Sequence, residues 1–217
     1  MIVEMGKREA TSELVGGRLC LDFANTIHCY HAEELSDDLK TYSDLVSWSR
    51  QAGVISEREA RALLREAAKH PSRAGAALER ARALRNAIYG IFAAVANERG
   101  PKREDLALLN AALSEAMSRT RVVATADGFG WDWARDEAAL ERMLWPIARS
   151  AADLLTSAEL NRTRECGGDK CTWLFMDTSK NRSRRWCDMK GCGNRAKSRR
   201  HYERRRSAVA AAYKPGV

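Results

Sequence analysis

Four cysteines near the C-terminal end of the chain follow the spacing C-x4-C-x15-C-x4-C. They are Cys166, Cys171, Cys187 and Cys192. Two thiolate pairs joined by a short span can close around one ion from opposite sides, and four thiolates are the donor set of tetrahedral structural zinc. Glycines inside the first pair and on both sides of Cys192 allow the backbone to turn tightly there. The spacing therefore predicts one structural Zn²⁺.

Two other interpretations of the four cysteines stay open, namely reduced structural thiols and a redox disulfide switch. A cytoplasmic chain keeps its thiols reduced, so clustered cysteines there favour a metal over disulfides. Four thiolates also leave no coordination position for water, so the predicted zinc is structural and not catalytic.

The sequence between and after the cysteine pairs predicts a treble-clef-like zinc finger. Residues 173–176 are apolar and predict a strand, residues 177–182 predict a turn, and residues 184–186 predict the returning strand. Residues 194–206 contain no glycine or proline and predict a helix. We therefore expect a first knuckle, which is the turn at residues 166–171, then a hairpin, a second knuckle at residues 187–192, and finally the helix.

Positive charge is concentrated in the same segment. Residues 161–206 contain 15 Lys and Arg against 5 Asp and Glu, whereas residues 1–160 contain 21 against 24. Such asymmetry indicates a polyanionic partner, and arginine suits phosphates and guanine edges. The predicted nucleic-acid-binding residues are Arg182, Arg184, Arg185, Asn194, Arg195, Lys197, Arg199, Arg200 and Arg204. A protein or acidic-ligand contact and a solvated basic face are the alternatives, and the residues alone do not separate DNA from RNA.

The upstream residues predict a mostly helical body with one β-hairpin. Predicted helices cover residues 19–26, 43–53, 56–69, 72–99, a segment around 106–113, and 140–155, and the predicted hairpin covers 121–133. We expect Ser43 and Ser56 to cap two of these helices and Pro146 to kink the last. The predicted domains are a body at residues 1–160, the finger at 161–206 and a tail at 207–217.

Composition limits the classes of protein that this chain can represent. Hydrophobic residues make up 45% of the chain and charged residues 30%, as in ordinary globular proteins. No apolar run approaches the roughly 20 residues of a membrane span, and residues 1–10 lack the apolar core of a secretory signal. We therefore expect a cytoplasmic protein that does not contact membranes.

Named motifs at four places resemble a known two-domain family. Cys192-Gly193-Asn194-Arg195 resembles the signature of the CGNR zinc finger, and the residues before it, 173–179 and 184–187, fit the same finger. The sequence LDFANT at 21–26, the stretch that begins at Leu84-Arg85 and residues 144–152 resemble the ABATE domain, which precedes this finger in many bacterial proteins. The resemblance implies a stress-responsive transcription regulator whose finger binds DNA and whose N-terminal domain senses a ligand or mediates assembly.

Polar and aromatic residues within the body suggest a second, weaker site. Asp22, Asn25 and Arg85 lie in apolar helical stretches, so they either form a pocket for a small anionic ligand or tie the body together internally. Trp131, Trp133 and Trp145 either line such a pocket or fill the core.

Three further residues near the start of the chain suggest a second metal. His28, Cys29 and His31 are close in sequence but have no evident fourth ligand, which favours a solvated or capping role.

Three functions are compatible with the sequence. The first is a zinc-finger transcription regulator, with a homodimer as one way to extend the DNA site, since one finger reads few base pairs. The second is an enzyme in which the body acts on a small molecule and the finger is a tether. The third is an RNA-binding module. The sequence contains no Ser-His-Asp order, phosphate-binding glycine loop or HExxH motif, so we expect the chain not to be an enzyme.

Overall fold

The computed structural model describes residues 14–28, 36–134 and 139–212. Helices dominate these residues, which confirms the predicted fold class. The α-helices are α1 (Leu19–Ala24), α2 (Tyr42–Gln51), α3 (Glu57–Lys69), α4 (Pro71–Ala96), α5 (Arg103–Ser118), α6 (Leu144–Leu155) and α7 (Asn194–Ala212). A 3₁₀ turn at Leu160–Arg162 and a π-helical turn at Met189–Gly193 complete the helical elements.

Strands form three antiparallel pairs in the described part of the chain. These are β1 (Ile27–His28) with β2 (Ser36–Asp37), β3 (Thr120–Thr125) with β4 (Gly128–Trp133), and β5 (Thr163–Glu165) with β6 (Leu174–Met176). The β3–β4 pair is the predicted hairpin, and its turn lies at the predicted Asp127-Gly128. The β1–β2 pair was not predicted from the sequence.

Helix α2 begins one residue before the predicted cap. Thr41, and not Ser43, is its N-cap: the Thr41 side chain accepts from the amide of Asp44, whose carboxylate accepts from the Thr41 amide in return. The same reciprocal pair joins Ser56 and Glu59 at the start of α3, as predicted. Ser43 was therefore wrong as a cap because it already lies inside the first turn.

Proline at position 146 does not kink α6. The helix begins at Leu144, so Pro146 lies in its first turn, where a helix has no internal acceptor for the missing amide proton. Residues 140–143, predicted as the first turn of this helix, form turns that precede it.

The hairpin of the C-terminal segment differs from the predicted one. Strand β6 pairs with β5, which precedes the first cysteine pair, and residues 184–186 form no strand. The register joins Thr163 to Met176 and Glu165 to Leu174. The first knuckle therefore forms the connection of the hairpin, so the predicted order of knuckle followed by hairpin was wrong.

Strand β6 belongs to two hydrophobic cores at once. Leu174 and Met176 pack into the large core formed by helices of the body. Phe175, whose side chain points to the opposite face of the strand, packs with Trp173 and the four cysteines in a second core. The amide of Met176 also donates to the carbonyl of Gly16 at 2.8 Å. The C-terminal segment is thus packed directly against the body.

None of the described helices is both long and apolar enough to span a bilayer.

Candidate metal centre and basic helix

The four predicted cysteine ligands come together in one buried cluster. Their sulfur atoms all lie within 4.8 Å of one another, and each residue is buried. The distance from Cys171 Sγ to Cys187 Sγ is 3.8 Å, and the distance from Cys187 Sγ to Cys192 Sγ is 3.7 Å. A regular tetrahedron with Zn–S bonds of about 2.3 Å has sulfur–sulfur edges of about 3.8 Å. The cluster therefore has the size of a tetrahedral zinc site.

Hydrogen bonds to sulfur surround the cluster. The amides of Gly168 and Cys187 donate to Cys166 Sγ at 3.4 and 3.3 Å. The guanidinium of Arg195 donates to Cys192 Sγ at 3.0 Å. Donors directed at sulfur stabilise the negative charge that thiolate ligands carry, and they fix the orientation of each ligand.

The pKa values of the thiols show how closely the sulfur atoms interact. Hydrogen bonds from Cys171 and Cys187 lower the pKa of Cys166 far below its ordinary value, and their bonds to Cys166 raise the pKa values of the two donors. Four thiolates this close repel one another, and a divalent cation among them removes that repulsion.

Glycine at position 168 is required by close packing of the first knuckle. A Cβ atom at this position would lie 3.0 Å from Cys192 Sγ and 3.3 Å from Cys171 Cβ. Both contacts are tighter than ordinary van der Waals packing. Any larger residue would therefore push the two ligands apart.

A buried carboxylate organises the loop that leads from β6 to the second cysteine pair. Asp177 is fully buried, and it accepts from the amide and hydroxyl of Ser179 and from the amide of Arg184. Burial opposes ionisation of Asp177, but these hydrogen bonds outweigh it and lower the pKa of the carboxyl. The loop thus has an internal charged anchor.

The side chain of Arg184 is turned toward the protein. Its guanidinium lies 4.5 Å from the ring centroid of Phe175 and donates to the carbonyls of Trp186 and Cys187. Arg184 therefore holds the backbone that carries Cys187, and each of its three side-chain nitrogens donates to a backbone carbonyl, the third being that of Met176.

Basic residues on α7 divide into two groups by their contacts. In the first group, Arg195 donates to Cys192 of the second cysteine pair, and Arg199 pairs with Asp169 of the first knuckle at 2.6 Å and with Glu203, one turn further along α7, at 3.0 Å. A cleft of about 720 Å³ lies between α7 and the first knuckle, and Arg200 lines it together with Arg195 and Arg199. Asn194 donates to the carbonyl of Lys190 at 3.2 Å. The Arg199–Asp169 pair holds α7 against the first knuckle, while the bonds of Arg195 and Asn194 fix the first turn of α7 to the segment of the second cysteine pair.

The second group differs from the first in having no ion-pair partner in the described part of the chain, since Arg195 and Arg199 are exposed as well. Lys197, Arg200 and Arg204 are exposed and form no ion pair with any residue that the structure describes. Arg182 and Arg185 are exposed in the loop before the second cysteine pair, and the guanidinium of Arg185 lies 5.7 Å from the ring centroid of Trp186. These five cations could contact a polyanion without breaking an internal ion pair.

The three polar residues of the predicted ligand pocket have separate protein partners. Asn25 is 2% exposed and forms two 2.8 Å hydrogen bonds with the backbone of Leu174, one as donor and one as acceptor. Arg85 is equally buried and binds both carboxylate oxygens of Asp37, at 2.6 and 2.9 Å. Each is satisfied without a ligand, which favours the internal-network interpretation.

Among the residues that the structure describes, Asp22 has one hydrogen-bond donor, the amide of Gly16 at 2.7 Å. Burial raises the pKa of its carboxyl to about 6. Arg85, in contrast, holds the pKa of Asp37 below its usual value, although burial of Asp37 acts in the opposite direction.

The three tryptophans of the predicted pocket, Trp131, Trp133 and Trp145, lie where the hairpin meets α6; Trp145 is buried, whereas Trp131 is 60% exposed. The rings of Trp133 and Trp145 are 6.1 Å apart, and Trp131 packs against the guanidinium of Arg149 at 4.9 Å. Of the predicted second metal site, Cys29, His31 and the side chain of His28 lie outside the described residues.

Two functional contributions were not predicted from the sequence. Asp177 was predicted only as part of a turn and of a family motif. A local signal was present, because an Asp side chain commonly accepts from the amide two residues further on, as Asp177 does from Ser179. The role of Asn25 had no local signal, because its partner is a backbone 149 residues away.

Comparison with known families agrees with this geometry. The family model of the ABATE domain, described as "putative stress-induced transcription regulator", matches residues 17–158. The family model of the CGNR zinc finger matches residues 162–205. No curated protein matches the chain. The finger family and the cysteine geometry together establish that Cys166, Cys171, Cys187 and Cys192 hold one structural Zn²⁺. Because the ABATE model matches more than half of the chain, the chain belongs to the ABATE family, and it carries a CGNR zinc finger.

Proposed function

We propose that this protein is a regulator of transcription that binds duplex DNA through the exposed side of α7. One observation carries the proposal: some basic residues of α7 pair with groups near the cysteine cluster, whereas others pair with no described residue. Arg195 and Arg199 have partners on the two knuckles, whereas Lys197, Arg200 and Arg204 do not pair with any described residue. The contacts of Arg195 and Arg199 within the protein explain why the first group is basic. The positive charge of the second group has no such explanation among the described residues.

The shape of α7 favours DNA over RNA as the partner. The helix has 19 residues and is therefore about 28 Å long. The major groove of B-form DNA is about 12 Å wide and admits an α-helix, whereas the major groove of A-form RNA is too narrow for side chains to read. Arg182 and Arg185 supply further phosphate contacts from the loop before the second cysteine pair.

The remaining parts of the proposal follow from the same chemistry. The zinc is structural because four thiolates leave no place for water or substrate, so we assign the chain a binding function and not a catalytic one. Reduced zinc thiolates suit the cytoplasm. The body senses a ligand or mediates assembly, with a homodimer as one way to lengthen the DNA site.

Anisotropy of a labelled DNA duplex, measured at several salt concentrations, tests this proposal. Zinc-loaded protein should bind with a strong salt dependence, because each phosphate contact changes the slope of log K against log salt by about 0.9. The variant Lys197→Gln/Arg200→Gln/Arg204→Gln should bind more weakly and lower that slope by about 2 to 3. Zinc content and melting temperature should stay as in the unmodified protein.

A matched control removes three positive charges from the body. Arg58, Arg65 and Lys102 are exposed and form no ion pair with described residues, so Arg58→Gln/Arg65→Gln/Lys102→Gln should retain the original affinity and slope. Equal losses in both variants would mean that only net charge matters, and the proposed interface would be wrong. Preferential competition by structured RNA would instead identify RNA as the partner.

A further inference from the structure

A cleft of about 370 Å³ lies along α6, beside the base of the β3–β4 hairpin and the start of α1. Its lining residues are Arg18, Trp133, Pro146, Arg149, Ser150, Asp153, Leu154 and Ser157. Those from position 146 to 157 recur at the spacing of one helical face. The volume falls within the usual range of sites for small molecules.

Two buried hydrogen-bond donors, one on a lining residue and one on a residue that packs against the cleft wall, have no acceptor among the described residues. Arg149 Nη1 is fully buried and has no hydrogen-bond partner among the described residues. The same holds for the indole nitrogen of Trp145, whose ring packs against Trp133 of the cleft wall. A buried donor without an acceptor lowers the stability of a fold, and such groups in native proteins call for an explanation.

The rest of the Arg149 side chain is held in place. Its guanidinium carbon lies 4.9 Å from the ring centroid of Trp131, and its Nε lies 3.6 Å from Asp153 Oδ2. Only 26% of the side chain is exposed. The guanidinium is thus preorganised, with one nitrogen left over for an acceptor from outside the described residues.

Charge and shape define the ligand that would fit. Arg18 contributes a second guanidinium at the rim, where it pairs with Glu159, and Asp153 is the acidic residue in the lining. Trp133 and Pro146 offer apolar walls suited to a flat group. A guanidinium fork matches a carboxylate in geometry and charge.

We propose that this cleft binds a small planar carboxylate. Arg149 binds the carboxylate oxygens, and the planar group packs against Trp133 and Pro146. The site is separate from Asp22, Asn25 and Arg85, whose polar groups have protein partners, and it does not depend on the proposed DNA binding. A ligand here would contact α6, the hairpin and the residue that precedes α1.

Benzoate titrated into the full-length, zinc-loaded protein tests the proposal, with tryptophan fluorescence and calorimetry as independent readouts. Benzoate should give a saturable signal at millimolar concentrations, whereas benzyl alcohol, which has the same ring but no charge, should not. Acetate should bind more weakly than benzoate, because it lacks the ring. Arg149→Gln should weaken benzoate binding about tenfold or more, since a hydrogen bond to a charged group is lost.

Control variants separate a binding function from a structural one. Arg121→Gln removes an arginine on the other face of the hairpin, where it pairs with Asp132, and should bind benzoate unchanged. Arg18→Gln alters only the exposed rim and should reduce the affinity several-fold even if Arg149→Gln fails to fold. Absence of saturable benzoate binding, or equal binding by folded Arg149→Gln, would overturn the proposal and leave Arg149 as an anchor for the hairpin.

Discussion

Asn25 shows how one side chain can connect two distant parts of a chain. Its amide group is buried and bonds to both the carbonyl and the amide of Leu174, which is the pattern of a backbone partner in a sheet. Since both bonds reach backbone atoms, Asn25 fixes the position of β6 without depending on the side chain at 174. Other residues of similar size could not supply a donor and an acceptor in this arrangement.

Asp22 is a residue where a charge lowers stability at neutral pH. Its folded-state pKa of about 6 lies above the ordinary value of 3.8, so the free energy of folding is least favourable where the carboxyl is ionised. The penalty is absent below the ordinary pKa, grows between the two values and is complete above the folded-state pKa. We expect Asp22→Asn to raise the free energy of unfolding by about 2 kcal/mol more at pH 8 than at pH 4.5.

Urea unfolding of both proteins at the two pH values measures this difference. The amide oxygen of Asn can still accept from Gly16, so the hydrogen bond at 2.7 Å should survive the substitution. Asp127→Asn, which removes a charge from the exposed hairpin tip, should show no such pH dependence. A gain of equal size at pH 4.5 and pH 8 would show that ionisation of Asp22 is not the cause.

Individual residues were predictable from the sequence where their chemistry is local. The four cysteine ligands followed from spacing alone, because a knuckle needs only a short, flexible turn. Burial of Asn25 and Arg85 could be expected, but their partners could not, since Leu174 and Asp37 are brought near by tertiary packing. A sequence shows that a buried polar group needs a partner, but not which one.

The geometry of the first knuckle depends on Gly168, which has no side chain. A Cβ atom at position 168 would contact the sulfur of Cys192 and the Cβ of Cys171, so a methyl group there must displace two ligands. We expect Gly168→Ala to weaken zinc binding at least tenfold, because displaced ligands lose the tetrahedral geometry that zinc requires. Competition with a chromogenic zinc chelator measures the affinity.

A second glycine provides the matched control for this substitution. Gly75 lies inside α4, and a Cβ atom there would meet nothing within 4 Å. Gly75→Ala should leave zinc affinity unchanged and raise stability by about 0.5–1 kcal/mol, since alanine is the better helix former. Unaltered zinc affinity in Gly168→Ala would show that the knuckle can relax around the added methyl group.

Elements with strong local signals were predicted well, and those set by distant pairing were not. The Ser56 capping box predicted α3, and the Asp127-Gly128 turn predicted the β3–β4 hairpin, because each signal lies within its own element. The strand predicted at residues 184–186 is absent because Asp177 and Arg184 hold this loop in a different conformation. The partner of β6 is β5, and the sequence carries no local signal for that register.

At the scale of the whole molecule, the finger and the body share a strand. Leu174 and Met176 fill the core of the body, while Phe175 fills the core around the cysteines. A zinc finger that only tethers a separate domain would not contribute residues to that domain's core. The sequence predicted the two segments but not this shared packing, because three consecutive apolar residues in β6 do not reveal what each face contacts.

Removal of zinc should therefore destabilise the body as well as the finger. Loss of the buried side chains at 174 and 176 would cost several kcal/mol, which corresponds to about 10 °C in melting temperature for a chain of this size. Calorimetry before and after chelation, together with hydrogen exchange at the amides of Leu174 and Met176, measures the effect. Cys187→Ser should reproduce it without a chelator.

Asn25→Ala provides the converse measurement. Disrupting the contact from the side of the body should lower zinc affinity as well as melting temperature, because linkage between two sites is reciprocal. Substitution of Asn97, which reaches Glu165 on the exposed side of β5, should have a smaller effect on both. An unchanged melting transition of the body after chelation would mean that finger and body are stabilised independently.

The shared strand also bears on how the protein is made. The body is synthesised before β6, so during translation its core has all its helices but lacks Leu174 and Met176. Until β6 leaves the ribosome, the nascent chain exposes apolar surface and the buried amide of Asn25 has no partner. Completion of the body thus coincides with arrival of the cysteines, and a chain that stops before them would be a substrate for chaperones and proteases.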